Sequence, residues 1–297
     1  MNKAKGFSCV ITAAVIFGFM PILSKLTYFG GSNPIMLVFL RSFLCIPILY
    51  SILRVKKITI KVPKKILFKF FIYSIVTTTL TALLLYTSYN YVSVGIATTI
   101  HYVYPIIVGL ILVIFFKEKI SILKIICLAI SFSGILLFFD GNTSNGSLIG
   151  LFIAFLSGVS YSLSLIYMDK GGIKGYYPFL VTFYSCLFTS ITMFFVSIIT
   201  KSFTLSITPS GWLYSFILSI IVSVIAVTFM QIGVQNIGPT TTAILCMFEP
   251  ITSIILAILL FNEPCTFRNI LGCSLIIFAV LLLTIFDNKK ESISNNC

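Results

Sequence analysis

From Phe70 to Phe116, and again from Ser202 to Phe248, the chain runs without an Asp, Glu, Lys or Arg. A helix crosses a bilayer with about 20 apolar residues, so each run is too long for one crossing and must hold two joined by a turn. Turn residues interrupt both runs, at Val92-Ser93-Val94-Gly95 and at Asn236-Ile237-Gly238-Pro239, and the cuts are expected there. The rest of the chain has the same character: 59% of its 297 residues are hydrophobic and 9% are charged, where soluble domains carry roughly a quarter. A water-soluble fold is excluded. In hydrocarbon every backbone N–H and C=O needs an internal partner, and apolar runs of helix length supply it as helices.

The expected fold class is all-α integral membrane, with ten transmembrane helices near 7–27, 35–53, 67–91, 95–116, 121–139, 147–168, 178–200, 211–235, 240–261 and 266–286. Lys3 and Lys5 precede the first apolar stretch as they would in a signal peptide, but the stretch lacks a small-x-small cleavage site and reads as a retained span. The net charge is +13, and its placement orients the chain. Counting from a cytoplasmic N-terminus, Lys3, Lys5, the run from Arg54 to Lys69, Lys117, Lys119, Lys124, Lys170, Lys174, Lys289 and Lys290 fall inside. Lys25, Lys201 and Arg268 fall outside. Both termini are therefore expected in the cytoplasm of a cell whose plasma membrane holds the protein. The Arg54 to Lys69 run reads as a loop touching anionic lipid, so membrane lipid is an expected partner and nucleic acid is not.

Cys9, Cys45, Cys127, Cys186, Cys246, Cys265, Cys273 and Cys297 form no CxxC pair and read as small apolar filler. With one histidine and no Gly-Lys dipeptide there is neither an HExxH site nor a Walker A loop. No metal, no cofactor and no enzyme chemistry are expected.

A shift of 145 residues lays the third to fifth spans on the eighth to tenth without a gap: Pro105 meets Pro250, Phe116 meets Phe261, Glu118 meets Glu263 and Leu136 meets Leu281. Polar residues recur at matching depths, Tyr86 with Gln231, Asn90 with Gln235 and Tyr104 with Glu249. The chain divides into repeats at 1–140 and 147–286, with a short cytoplasmic tail at 287–297. Five spans is an odd number, so the second repeat enters the membrane the opposite way up. An inverted repeat suits alternating access around a site near the midplane.

Pro105, Glu118 in Phe-Phe-Lys-Glu-Lys, Glu249-Pro250 and Glu263 in Leu-Phe-Asn-Glu-Pro resemble the duplicated signature of the drug/metabolite transporter superfamily, EamA type, over the whole chain. Arg41 also sits where that family often carries arginine. The resemblance implies a central cavity lined mainly by spans one to four and six to nine, peripheral spans five and ten, and movement of amino acids or other small metabolites.

Each candidate site residue has two readings. Arg41, inside the second span, either snorkels to the outer headgroups or turns inward to meet an anion or carboxylate. Tyr86 and Asn90, and Gln231 and Gln235, are i, i+4 pairs that frame one pocket or serve as interhelical glue. His101 and Tyr104 share a face beside Pro105, where the histidine is a neutral group bonded to a backbone carbonyl or a proton carrier. Glu249, about nine residues into its span, is either a structural carboxyl or one that exchanges a proton for the substrate's cationic group. Tyr89 and Tyr91 read as interfacial anchors. Gly146, Gly150, Ala154, Gly158 and Ser162 form a side-chain-poor strip for close helix packing within the bundle. Glu118 and Glu263 are expected in caps or ion pairs with Lys117, Lys119 or Arg268.

The function expected is secondary transport of a small organic metabolite such as an amino acid, with export favoured by the family resemblance. A proton gradient, a solute gradient or exchange would drive it, through a monomer or homodimer. The rivals are a membrane-embedded enzyme and a channel or receptor without counter-transport.

Overall fold

The computed structural model describes residues 3–92, 94–137, 147–261 and 266–294. Ser93, Gly146, Glu263, Cys265 and Cys297 lie outside the described residues, as does the end of the tail. All regular structure among the described residues is helical. Nine helical segments are long and apolar enough to cross a membrane: Lys3–Phe29, Pro34–Val55, Lys64–Ser88, Ile96–Ile114, Leu148–Lys170, Pro178–Ile199, Pro209–Ile237, Pro239–Leu256 and Phe267–Phe286. The shorter apolar helix Ile122–Leu136 takes the fifth place, completing the ten expected from the apolar runs. Several starts are capped as their residues dictate. The Asn33 side chain accepts from Met36 N at 2.9 Å ahead of Pro34, and Thr208 accepts from Gly211 N at 3.2 Å ahead of Pro209. Gly238, at φ 80°, makes the second expected cut, a backbone conformation that L side chains resist.

The 145-residue offset carries helix bounds as well as residues. Lys64–Ser74 corresponds to Pro209–Leu218, Val94–His101 to Pro239–Cys246, and the starts at Tyr104 and Ile122 to those at Glu249 and Phe267. It also carries an irregularity. The third and eighth spans each contain a π-helical stretch, Ile75–Thr81 and Ser219–Ala226, at equivalent positions. The halves differ where their prolines differ. Pro21 and Pro47 follow breaks in the first two spans, because proline lacks the N–H an interior turn needs. Ile166 and Thr192 stand at the equivalent positions, and spans six and seven run unbroken.

The two repeats interleave. The first span packs on the eighth and ninth, the sixth on the third and fourth, the second on the seventh and the fifth on the tenth. The core therefore lies between the repeats, and Phe70, Tyr73, Tyr86 and Tyr104 are among its largest fully buried side chains. Large apolar residues such as Phe29, Phe115 and Ile199 are left on the outside, as lipid permits. The small strip of the sixth span faces the fourth span and its entry. A Cβ on Gly150 would lie 2.6 Å from that of Tyr91, and one on Gly158 would lie 2.7 Å from the His101 carbonyl oxygen.

Candidate functional site

The fourth and ninth spans break at equivalent places, after His101 and after Cys246. Val103 N bonds Ile100 O at 3.1 Å and Met247 N bonds Ile244 O at 3.1 Å, so each first half-helix closes in a tight turn. Tyr104-Pro105 and Glu249-Pro250 then open the second halves. A helix start presents unbonded N–H groups and the positive end of the peptide dipole, so a carboxylate is better placed at Glu249 than anywhere else along this span. The pairing of interrupted helices at matching depth sets these two side chains into the layer between the repeats.

Around them is an aromatic cluster. The His101 ring lies 5.4 Å from both Tyr104 and Tyr161, and Tyr104 meets Tyr161 edge-on at 4.7 Å. Tyr102 is a hydroxyl neighbour of Glu249, and its Oη is buried without a well-formed hydrogen bond. Tyr104 donates across the repeat boundary to the Ala243 carbonyl at 3.4 Å. His101 Nδ1 lies 2.8 Å from Ser157 Oγ, and the Ser157 hydroxyl proton is committed to the Ala154 carbonyl at 2.6 Å. The imidazole must therefore carry its proton on Nδ1, which leaves the Nε2 lone pair as an acceptor.

A second group holds the one buried arginine of the second span. Arg41 is 5% exposed, its Nη1 donates to Tyr86 Oη at 2.6 Å and approaches Met20 Sδ at 4.0 Å, and its Nε is buried without a partner. The charge is turned into the bundle, so the snorkelling reading gives way to the inward one. The Tyr89 ring lies 6.1 Å from that of Tyr86, and the hydroxyls of Tyr89 and of Tyr28, which is within electrostatic reach of Tyr86, are also buried and unpartnered. Tyr89 also lies within electrostatic reach of Glu249. Its hydroxyl points inward rather than anchoring the span at a membrane surface.

Three expected members lie elsewhere. Asn90 is exposed in the turn that follows Ser88, because the third span ends before the i+4 position of Tyr86 is reached. Gln231 is fully buried but sits in its own network, with Tyr73 Oη at 3.5 Å and Thr182 Oγ1 at 3.3 Å. Gln235 donates to the Tyr176 carbonyl at 3.0 Å and acts as packing glue. The His101 partner is a serine hydroxyl and not the backbone carbonyl expected. Glu118 pairs with Lys170 rather than with Lys117, Lys119 or Arg268, since the end of the sixth span, with Lys170 5.9 Å from the Phe116 ring, overlies that loop. Tyr28, Tyr102, Ser157 and Tyr161 were missed. The signal available for Ser157 and Tyr161 was their i, i+4 spacing on the turn beside the glycine strip.

An all-helical membrane bundle of two inverted five-span repeats, with polar side chains gathered at broken helices between them, is the architecture of a secondary transporter. The EamA-like transporter family matches residues 4–140 and again residues 148–285, and the chain belongs to that family. It is 25% identical over 212 residues to an uncharacterized transporter, YvbV, of Bacillus subtilis (strain 168), a match covering 68% of this chain and 67% of that one. A solved crystal structure superposes with a TM-score of 0.80 at 14% identity, covering 96% of this chain and 99% of the other, and so shares the fold.

Proposed function

We propose that this EamA-family transporter exports a small organic metabolite such as an amino acid across the plasma membrane by alternating access, with both termini cytoplasmic. The observation that carries the reading is that Tyr104 and Glu249 open equivalent half-helices of the two repeats, beside one aromatic cluster. A site shared by both repeats is reachable from either side when the repeats exchange conformations. Arg41 and Glu249 offer one cation and one carboxylate, the complement of a zwitterion. Glu249 couples the flux to protons: the carboxylate holds either a proton or the substrate's cationic group, and cannot satisfy both at once.

The test is counterflow in proteoliposomes with a panel of amino acids and nucleosides, followed by Glu249→Gln. The amide keeps the shape and cannot change charge. We expect it to lose accumulation driven by a pH gradient while its folded yield and melting temperature stay near wild type. Accumulation that survives in Glu249→Gln with its pH dependence intact would make Glu249 a structural group.

A further inference from the structure

We infer that Arg41, Tyr28 and Tyr89 form a docking site for a planar monoanionic carboxylate on the transported solute, an inference that rests on the transport reading for what carries that group. Arg41 is buried, and among the described residues no acidic side chain bonds it. A guanidinium taken out of water costs several kcal/mol unless its charge is met, and a tyrosine hydroxyl, the face of its ring 5.7 Å away and a thioether supply no counter-charge.

The manner of its anchoring says what would. Tyr86 holds Nη1, so the guanidinium is fixed in orientation, and the edge carrying the unpartnered Nε remains. That edge, Nε with Nη2, presents two parallel N–H bonds, the spacing that matches the two oxygens of a carboxylate. Two further O–H groups are buried without partners, Tyr28 and Tyr89, and the Tyr89 ring lies 6.1 Å from that of Tyr86, so this tyrosine group has donors to spare. A single positive charge anchored on a neutral tyrosine suits a monoanion, where a phosphate monoester would call for a second cation. Nor is the charge a symmetric structural device, because the position equivalent to Arg41 in the second repeat is Cys186. Tyr89, whose ring packs 6.1 Å from that of Tyr86, also lies within electrostatic reach of the carboxylate of the ninth span.

The chain has three arginines, Arg41, Arg54 and Arg268, so 15N-arginine labelling of the full-length protein in detergent yields a countable set of Nε–H signals, with Arg41 assigned by its loss in Arg41→Lys. The probes are a mixture of the protein amino acids, the same mixture as C-terminal amides, taurine, and inorganic phosphate. The amino acids are expected to move the Arg41 signal, and the amides, taurine and phosphate to leave it in place. Tyr28→Phe and Tyr89→Phe keep the rings and should each raise the half-saturating concentration by about tenfold, the loss of one bond to a charged group. Acids and amides acting alike, a signal that none of the probes moves, or a shift with taurine or phosphate instead of the acids would overturn the carboxylate site. Counterflow with the same mixtures separates this from the transport reading. A shifted Arg41 signal without exchange of any solute leaves the site standing and removes transport, whereas exchange with an unmoved Arg41 does the reverse.

Discussion

Ser157 decides what His101 can do. Its hydroxyl proton lies on the Ala154 carbonyl, so its oxygen accepts from Nδ1, and the histidine faces the tyrosines with a lone pair rather than an N–H. Ser157→Ala strands that buried N–H, at a cost of about 1–3 kcal/mol. We expect a lower melting temperature in detergent, and an unchanged one would mean that the bond contributes nothing to the fold. Arg41 is the complementary case, a charge whose neighbours hold it without neutralising it. Arg41→Ala should abolish transport at equal expression, while Arg41→Lys, which keeps the charge and loses the fork, should retain part of it with a raised KM. Uptake unchanged in both variants would remove Arg41 from the substrate path. The inward placement of Arg41 was one of two readings open in the sequence, since a lone arginine near a span end looks the same whether it snorkels or turns inward. Asn90 was misplaced for a related reason: i, i+4 spacing puts two residues on one face only while the helix lasts, and this helix ends at Ser88.

The π-helical stretches had no sequence signature, because an apolar run does not announce where its ladder slips by one residue. Their surroundings differ between the halves. At Ile75–Thr81 the slipped ladder is clasped by hydroxyls: Ser74 Oγ reaches the Ser185 carbonyl at 2.8 Å and Thr189 Oγ1 at 3.0 Å, Thr79 reaches Thr189 at 3.0 Å, and Ser160 bonds the Val76 carbonyl at 2.8 Å. Thr78 likewise meets Ser185 Oγ at 2.8 Å, whereas at Ser219–Ala226 its equivalent Ser223 is buried and unpartnered, for Leu40 occupies the place of Ser185, and Ser219, the equivalent of Ser74, has the Cys45 thiol beside it. Thr189→Val should therefore destabilise by about 1–3 kcal/mol, by removing the partner of two buried hydroxyls. Ser223→Ala should be neutral or stabilising. Thermal melts of the two variants decide it, and equal shifts in both would show that the clasp does not distinguish the halves. The strip on the sixth span was legible as a close-packing surface, because glycine and alanine at four-residue spacing leave one face bare. Gly158→Leu should cost folded yield, since its side chain would meet the His101 backbone, which cannot move aside.

At the scale of the molecule, duplication was visible where proline and glutamate punctuate the apolar runs, in the third to fifth spans against the eighth to tenth. The first two spans hid it, since their prolines at 21 and 47 have no counterparts in the sixth and seventh, yet the helix starts at Pro34 and Pro178 keep the offset to within one residue. Five spans in each half oblige equivalent positions to lie on opposite sides of the bilayer. Lys61 and Ser206 are such a pair, 145 residues apart, both exposed and both in the connection that precedes a repeat's third span. Around Lys61 the connection is rich in lysine, whereas around Ser206 the only nearby base is Lys201. From the charge difference we expect Lys61 in the cytoplasm and Ser206 outside. Single cysteines at the two positions, in a background whose native cysteines are replaced by alanine or serine, turn this into a measurement with a membrane-impermeant maleimide. Ser206→Cys should be labelled on intact cells and Lys61→Cys only after the membrane is opened. Labelling of both from one side would mean an even number of crossings between them, which removes the inverted repeat and the route by which one fold could open to either face.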